Sequence, residues 1–82
     1  MTEPDREQKF ASLAACKRIA EEAYDLMYEA HSPSDATARY SDAKEALYDA
    51  ISLARALNLM DEVETLEKRL AHIKAVFRSQ FS

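Results

Sequence analysis

Glycine is absent from the 82 residues of this chain. At ordinary usage of roughly 7 %, a chain of this length would hold about six. Without glycine, a phosphate-cradling P-loop and a dinucleotide fingerprint are both excluded. Tight hairpin turns lose their favoured residue as well, which counts against an all-β fold. Cysteine occurs once, as Cys16, so an internal disulfide is excluded and a reducing cytoplasm is the expected compartment. No apolar run approaches the roughly 20 residues that span a bilayer. The opening Met1-Thr2-Glu3-Pro4-Asp5 is acidic and polar, whereas a secretory signal starts basic and turns apolar. An excess of positive charge is also missing. The net charge of -4 weighs against a nucleic-acid binder, which needs a basic face to neutralise phosphates.

What is present fits one folded helical domain over residues 1–82. Apolar residues make up 48 % and charged residues 32 %, far from a disordered composition. Two prolines punctuate the chain, both where helices begin. Thr2-Glu3-Pro4-Asp5 is a T-x-x-D start signal. From there Phe10, Leu13, Cys16, Ala20, Ala23, Met27 and Ala30 recur at spacings of three and four, which predicts an amphipathic helix over about 4–31. Tyr24 widens the stripe on one side, Ile19 and Leu26 on the other. Ser32-Pro33-Ser34-Asp35 is the second start, with a capping serine, a proline suited to the first helical position and an acid at the positive helix end. Ala36, Tyr40, Ala43, Leu47, Ala50, Ala54 and Leu57 then hold a heptad register, so the second helix is expected over about 33–57. The competing reading leaves 32–40 as a loop and starts the helix near Ser41. Asn58 suits a left-handed helix end where glycine is unavailable. Asp61-Glu62-Val63-Glu64 opens a third helix, about 61–79, whose buried face is Val63, Leu66, Leu70, Ile73 and Phe77.

Three helices with short connections predict an all-α, three-helix antiparallel bundle running up, down, up. Alanine is abundant, fifteen residues in all, and on the first two helices it alternates with larger residues along the facing stripes. Small side chains permit close backbone approach, so those two helices are expected to form the tightest pair. Tyr24 and Tyr40 are expected to face each other near their connection.

The chemistry-bearing residues are sparse. Cys16, His31 and His72 have no zinc-motif spacing, and the Glu-x-x-His pattern of di-iron bundles is missing, since Tyr28 and Arg69 stand three residues before the two histidines. No metal and no organic cofactor are expected. Cys16 lies within an apolar stripe, where a small buried hydrophobe is expected rather than an activated thiolate. Glu21, Asp25, Glu29, Asp42, Glu45 and Asp49 are spaced along outer helix faces, and general acid–base catalysis requires enclosed carboxylates with separated pKa values. These patterns assign no catalytic residue. One small helical enzyme class, the all-helical chorismate mutases, binds a dianionic substrate through several inward Arg and Lys residues. Here Lys17 is the one clear basic candidate beside a stripe, so that enzyme reading stays a remote alternative. A second alternative is a nucleic-acid or membrane-surface binder using the basic end of the third helix, Lys68, Arg69, Lys74 and Arg78, although these point in several directions.

The segment from Tyr40 to Ala50, with Ala43, Leu47 and Ala50 at their spacing, resembles the second helix of a tetratricopeptide unit. Ile51 to Leu57 and Asp61 to Glu64 continue in the same style, over about a third of the chain, without a 34-residue repeat. The three-helix layout is similar to that of microtubule-interacting-and-transport domains. Both resemblances imply a module that binds peptides or helices rather than a catalyst.

The expected function is therefore a small non-catalytic protein that works by contact, with another protein or with itself as a homodimer, and without nucleic acid, membrane or a small-molecule substrate. Ile19, Leu26, Leu53 and Val76 lie at stripe edges, where one closed three-helix core need not cover them. They are the candidate interface residues.

Overall fold

A computed structural model describes residues 4–81 and consists of three helices: α1 (Pro4–Tyr28), α2 (Pro33–Ala56) and α3 (Met60–Gln80). Thr2 of the first start signal lies outside the described residues. The fold is all-α, and no strand occurs among the described residues.

Cross-helix contacts fix the helix directions. Lys17 pairs with Glu62, Glu21 with Arg69, and Tyr28 packs on Phe81, so α1 and α3 run parallel. Arg55 meets Glu67, Tyr48 meets Lys74 and Tyr40 meets Phe77, so α2 runs against α3. This is the up-down-up order expected from short connections.

The α1–α2 connection settles residues 32–40. Ser32 is extended (φ -150°, ψ 158°) and its Oγ accepts a hydrogen bond from the Asp35 amide at 3.1 Å. The segment beyond it is helical from Pro33 onward. α1 stops at Tyr28, three residues earlier than its apolar spacing predicts. The residue before a proline is pushed out of the helical region, and the chain needs length to reverse. The last turn tightens instead, with the Glu29 amide shared between the carbonyls of Asp25 and Leu26.

At the other end Asn58 has φ 59°, the left-handed geometry expected of it. The Leu59 amide donates to Ala54 O at 2.9 Å and the Asn58 amide to Arg55 O at 3.0 Å, which is the Schellman arrangement. Leu59 then packs against the core and α3 starts at Met60 without a side-chain cap. Asp61 thus stands inside the first turn rather than capping it. There, with Glu62, it faces the positive end of the helix.

The core follows the apolar stripes. Leu13, Ala20, Ala23 and Met27 of α1 are buried, as are Ala43, Leu47, Ala50 and Ala54 of α2 and Val63, Leu66, Leu70 and Ile73 of α3. Ala20, Ala43, Ala50 and Ala54 have no exposed surface. The backbones of α1 and α2 run close along much of their length, those of α2 and α3 along less, and α1 meets α3 mainly through long side chains. Alanine is the cause: with one carbon per side chain at the seam, the two helix backbones can nearly touch. Phe10, at the head of the α1 stripe, is instead 42 % exposed, at the mouth of a cavity by the α2–α3 turn.

Candidate functional site

Along the bundle, α1 is tied to α3 by polar contacts on one flank. Arg69 donates two hydrogen bonds to the Glu21 carboxylate, at 2.8 Å and 2.6 Å, and its guanidinium lies 4.7 Å from the Tyr24 ring centre. The Glu21 hydrogen bonds hold Arg69 above the usual arginine range. Glu21 is therefore an inter-helix anchor rather than the plain solvated carboxylate expected from its outer-face spacing.

Tyr24, Tyr28, Tyr40, Phe77 and Phe81 gather at the far end. Tyr40 stacks on Phe77 at 3.9 Å between ring centres, and Phe77 leads to Phe81 and Tyr28. Tyr24 packs edge-on against Tyr28 and donates a 3.3 Å hydrogen bond to its hydroxyl. Tyr24 and Tyr40, expected to face each other, are thus taken by different partners, because α3 supplies Phe77 where α1 was expected to supply Tyr24.

Among the described residues, no third helix packs on the opposite flank of α1. Here α1 and α2 form an open groove of about 400 Å³. Cys16, Ile19, Ala23 and Leu26 contribute from α1 and Ala46 from α2. Ile19 is 47 % exposed and Leu26 40 %. The rim is acidic, with Glu22 on one side and Asp42, Glu45 and Asp49 on the other, against the single cation Arg39. Arg39 leans back on Asp35 at 3.6 Å, and Arg18 reaches Glu22 only at 4.0 Å. Among the described residues, Asp42, Glu45 and Asp49 have no salt-bridge partner. The Cys16 thiol registers this environment: burial, and then the Asp49 charge, push it above the ordinary thiol range. A raised thiol is a weak nucleophile at neutral pH.

The four candidate interface residues separate on this geometry. Ile19 and Leu26 share the groove. Leu53 stands seven residues past Ala46, on the same flank of α2, but is half-buried against the core. Val76 is half-buried too, and stands seven residues past Arg69, on the flank of α3 that turns towards α1. The groove acids Asp42, Glu45 and Asp49 were legible as an outer-face series, but their position beside exposed aliphatics depends on which flank α3 occupies.

A second concavity, about 570 Å³, lies at the α2–α3 turn and is lined by Phe10, Leu13, Lys17, Met60 and Glu62 among others. Lys17 Nζ is ion-paired there with the shielded Glu62 Oε1, and Asp61 adds a second carboxylate to the lining. Lys17, the basic residue an anionic substrate would need, is thereby engaged. The basic end of α3 is largely engaged as well: Lys68 with Glu64 at 3.1 Å, Arg69 with Glu21, and Lys74 with the Tyr48 hydroxyl at 2.9 Å. Lys74 lowers the Tyr48 phenol below its ordinary range and is itself raised in return. Among the described residues no group of three or more His, Cys, Asp or Glu side chains is placed to hold a metal ion, and no helix is long and apolar enough to cross a membrane. No family model, no curated protein and no solved structure matches the chain.

Proposed function

We propose that this protein is a small non-catalytic interaction module that docks another protein in the α1–α2 groove. The observation that carries this reading is the pair Ile19 and Leu26, two large aliphatic side chains left 47 % and 40 % exposed on one groove. Single exposed aliphatics are ordinary, but neighbouring ones along a concave seam favour an interface. A reducing compartment such as the cytoplasm suits the lone thiol of Cys16.

The test is a peptide-display selection against the wild-type protein, followed by screening of the binders on an Ile19→Gln/Leu26→Gln variant that circular dichroism shows to be folded. Binders that lose affinity on the variant support docking in the groove. A set of binders indifferent to both substitutions, or a selection that yields none, would end the reading.

A further inference from the structure

Resting on that reading, we infer that the groove accepts an amphipathic helix of a partner protein whose apolar stripe is flanked by lysine or arginine. The geometry sets the length. Ile19 and Leu26 are seven residues apart on α1, about two helical turns or roughly 10 Å. An apolar stripe at i, i+3 or i+4, and i+7 on the incoming helix matches that span. The charge sets the flanks. Glu22 on one rim has Arg18 at 4.0 Å, while Asp42, Glu45 and Asp49 on the other face one lining arginine, Arg39, already leaning on Asp35. The three α2 carboxylates follow each other at spacings of three and four, so they form one line along the groove. Glu21, Glu62, Glu64 and Glu67 each have a cation within the chain; among the described residues Asp25, Glu29 and Asp61 share the lack of a salt bridge with the three groove acids but do not line the groove. Carboxylates without an internal cation next to exposed aliphatics favour a partner that brings both apolar groups and positive charge.

The same charges disfavour the other occupants. A second copy placed groove to groove by two-fold symmetry would bring eight carboxylates together, four from each chain. An anionic membrane surface and nucleic acid both meet the wrong sign. Homodimerisation through Ile19 and Leu26 is therefore the poorer use of this surface.

Two synthetic helices with the same leucine stripe test the assignment, one flanked by lysine and the other by glutamate. By fluorescence anisotropy at low salt, the lysine helix is expected to bind at least about tenfold tighter, with the difference shrinking as salt screens it. Amide chemical shifts should move along both groove walls, around Ile19 to Leu26 and Asp42 to Asp49. Asp42→Lys/Asp49→Lys should reverse the preference. Glu7→Lys/Glu64→Lys, with the same change in net charge away from the groove, should leave it in place. If both helices bind equally and both are lost on Leu26→Gln, the charge assignment is overturned while groove docking stands. Binding by neither helix overturns the assignment, as does a lysine preference indifferent to the Asp42 and Asp49 reversal. A concentration-dependent dimer that Leu26→Gln dissolves would give the groove to a second copy and overturn it as well.

Discussion

Ala43→Leu separates a sealed α1–α2 seam from a loose one by the sign of its effect. Ala43 has no exposed surface and sits in the core register of α2, with Tyr40 one turn before it and Leu47 one turn after. Leucine adds three carbons. If the seam held a void to receive them, burial at about 0.8 kcal/mol per methylene would stabilise the fold by roughly 2 kcal/mol. Ala20 and Ala50 are equally covered, so the helices have no slack to offer. Inserting carbon into such packing costs about 1–3 kcal/mol as the backbones separate or the side chain leaves its rotamer. The steric term is expected to win. At about 4–8 °C per kcal/mol for a domain of this size, a 2 kcal/mol loss lowers the melting temperature by roughly 8–16 °C.

Thermal unfolding followed by circular dichroism reads this directly. Ala38→Leu, at an exposed position on the same helix, is the control and should change stability by less than about 0.5 kcal/mol. Leu47→Ala reports core truncation and should cost about 2–5 kcal/mol. A melting temperature that stays level or rises in Ala43→Leu would refute the close approach of α1 and α2. The groove would lose its rigid floor with it.

Asn58→Gly should be neutral or stabilising, whereas Asn58→Val should cost about 1–2 kcal/mol, because a branched side chain resists the left-handed conformation; chemical denaturation checks both. A double-mutant cycle on Glu21→Gln and Arg69→Met should give a coupling of about 0.2–1 kcal/mol, as for other partly exposed ion pairs, that declines in high salt. Alkylation of Cys16 at neutral pH should run slower in the folded protein than in the unfolded chain, and Asp49→Asn should accelerate it by lowering the thiol pKa. The linkage has the matching sign: the folded thiol keeps its proton where the unfolded one has lost it, so stability from this group is complete below the unfolded pKa and is lost as pH rises through the folded one. In an ultraviolet titration, Tyr48 should ionise below the ordinary tyrosine range and Tyr24 above it, and Lys74→Met should remove the early phase.

The helices were legible because their signals are local. Ser32-Pro33 starts α2, Asn58 ends it, and apolar residues at three- and four-residue spacing mark most of the three buried faces, although Cys16, Ala30, Tyr40 and Phe77 are half-buried and Phe10 is exposed. Alanine content pointed correctly to the α1–α2 seam as the closest. The early stop of α1 was less legible, because the apolar spacing continues through Ala30 while the reversal before Pro33 decides the end. Arg69–Glu21 and Tyr40–Phe77 join residues 48 and 37 positions apart. Pairing over such separations depends on which flank α3 chooses, and helical periodicity is silent on that choice. For the same reason Ile19, Leu26, Leu53 and Val76 looked equivalent in sequence, yet only Ile19 and Leu26 share the open groove.

The choice of flank explains the groove's charge as well. α3 docks where α1 and α2 present Glu21, Tyr24, Tyr48 and Arg55, and its own Arg69, Lys74 and Glu67 answer them. Its long basic side chains are thereby used on the side that carries matching acids and aromatic rings. On the other side, the short side chains of Ala23 and Ala46 leave a concave floor, and among the described residues Asp42, Glu45 and Asp49 have no salt-bridge partner. Burial of Val63, Leu66, Leu70 and Ile73 fastens α3, with the ion pairs at its edge, whereas alanine packing fastens the α1–α2 hairpin. The groove therefore lies on the most closely packed part of the chain. A partner helix would meet a preformed surface and would not have to order it on arrival.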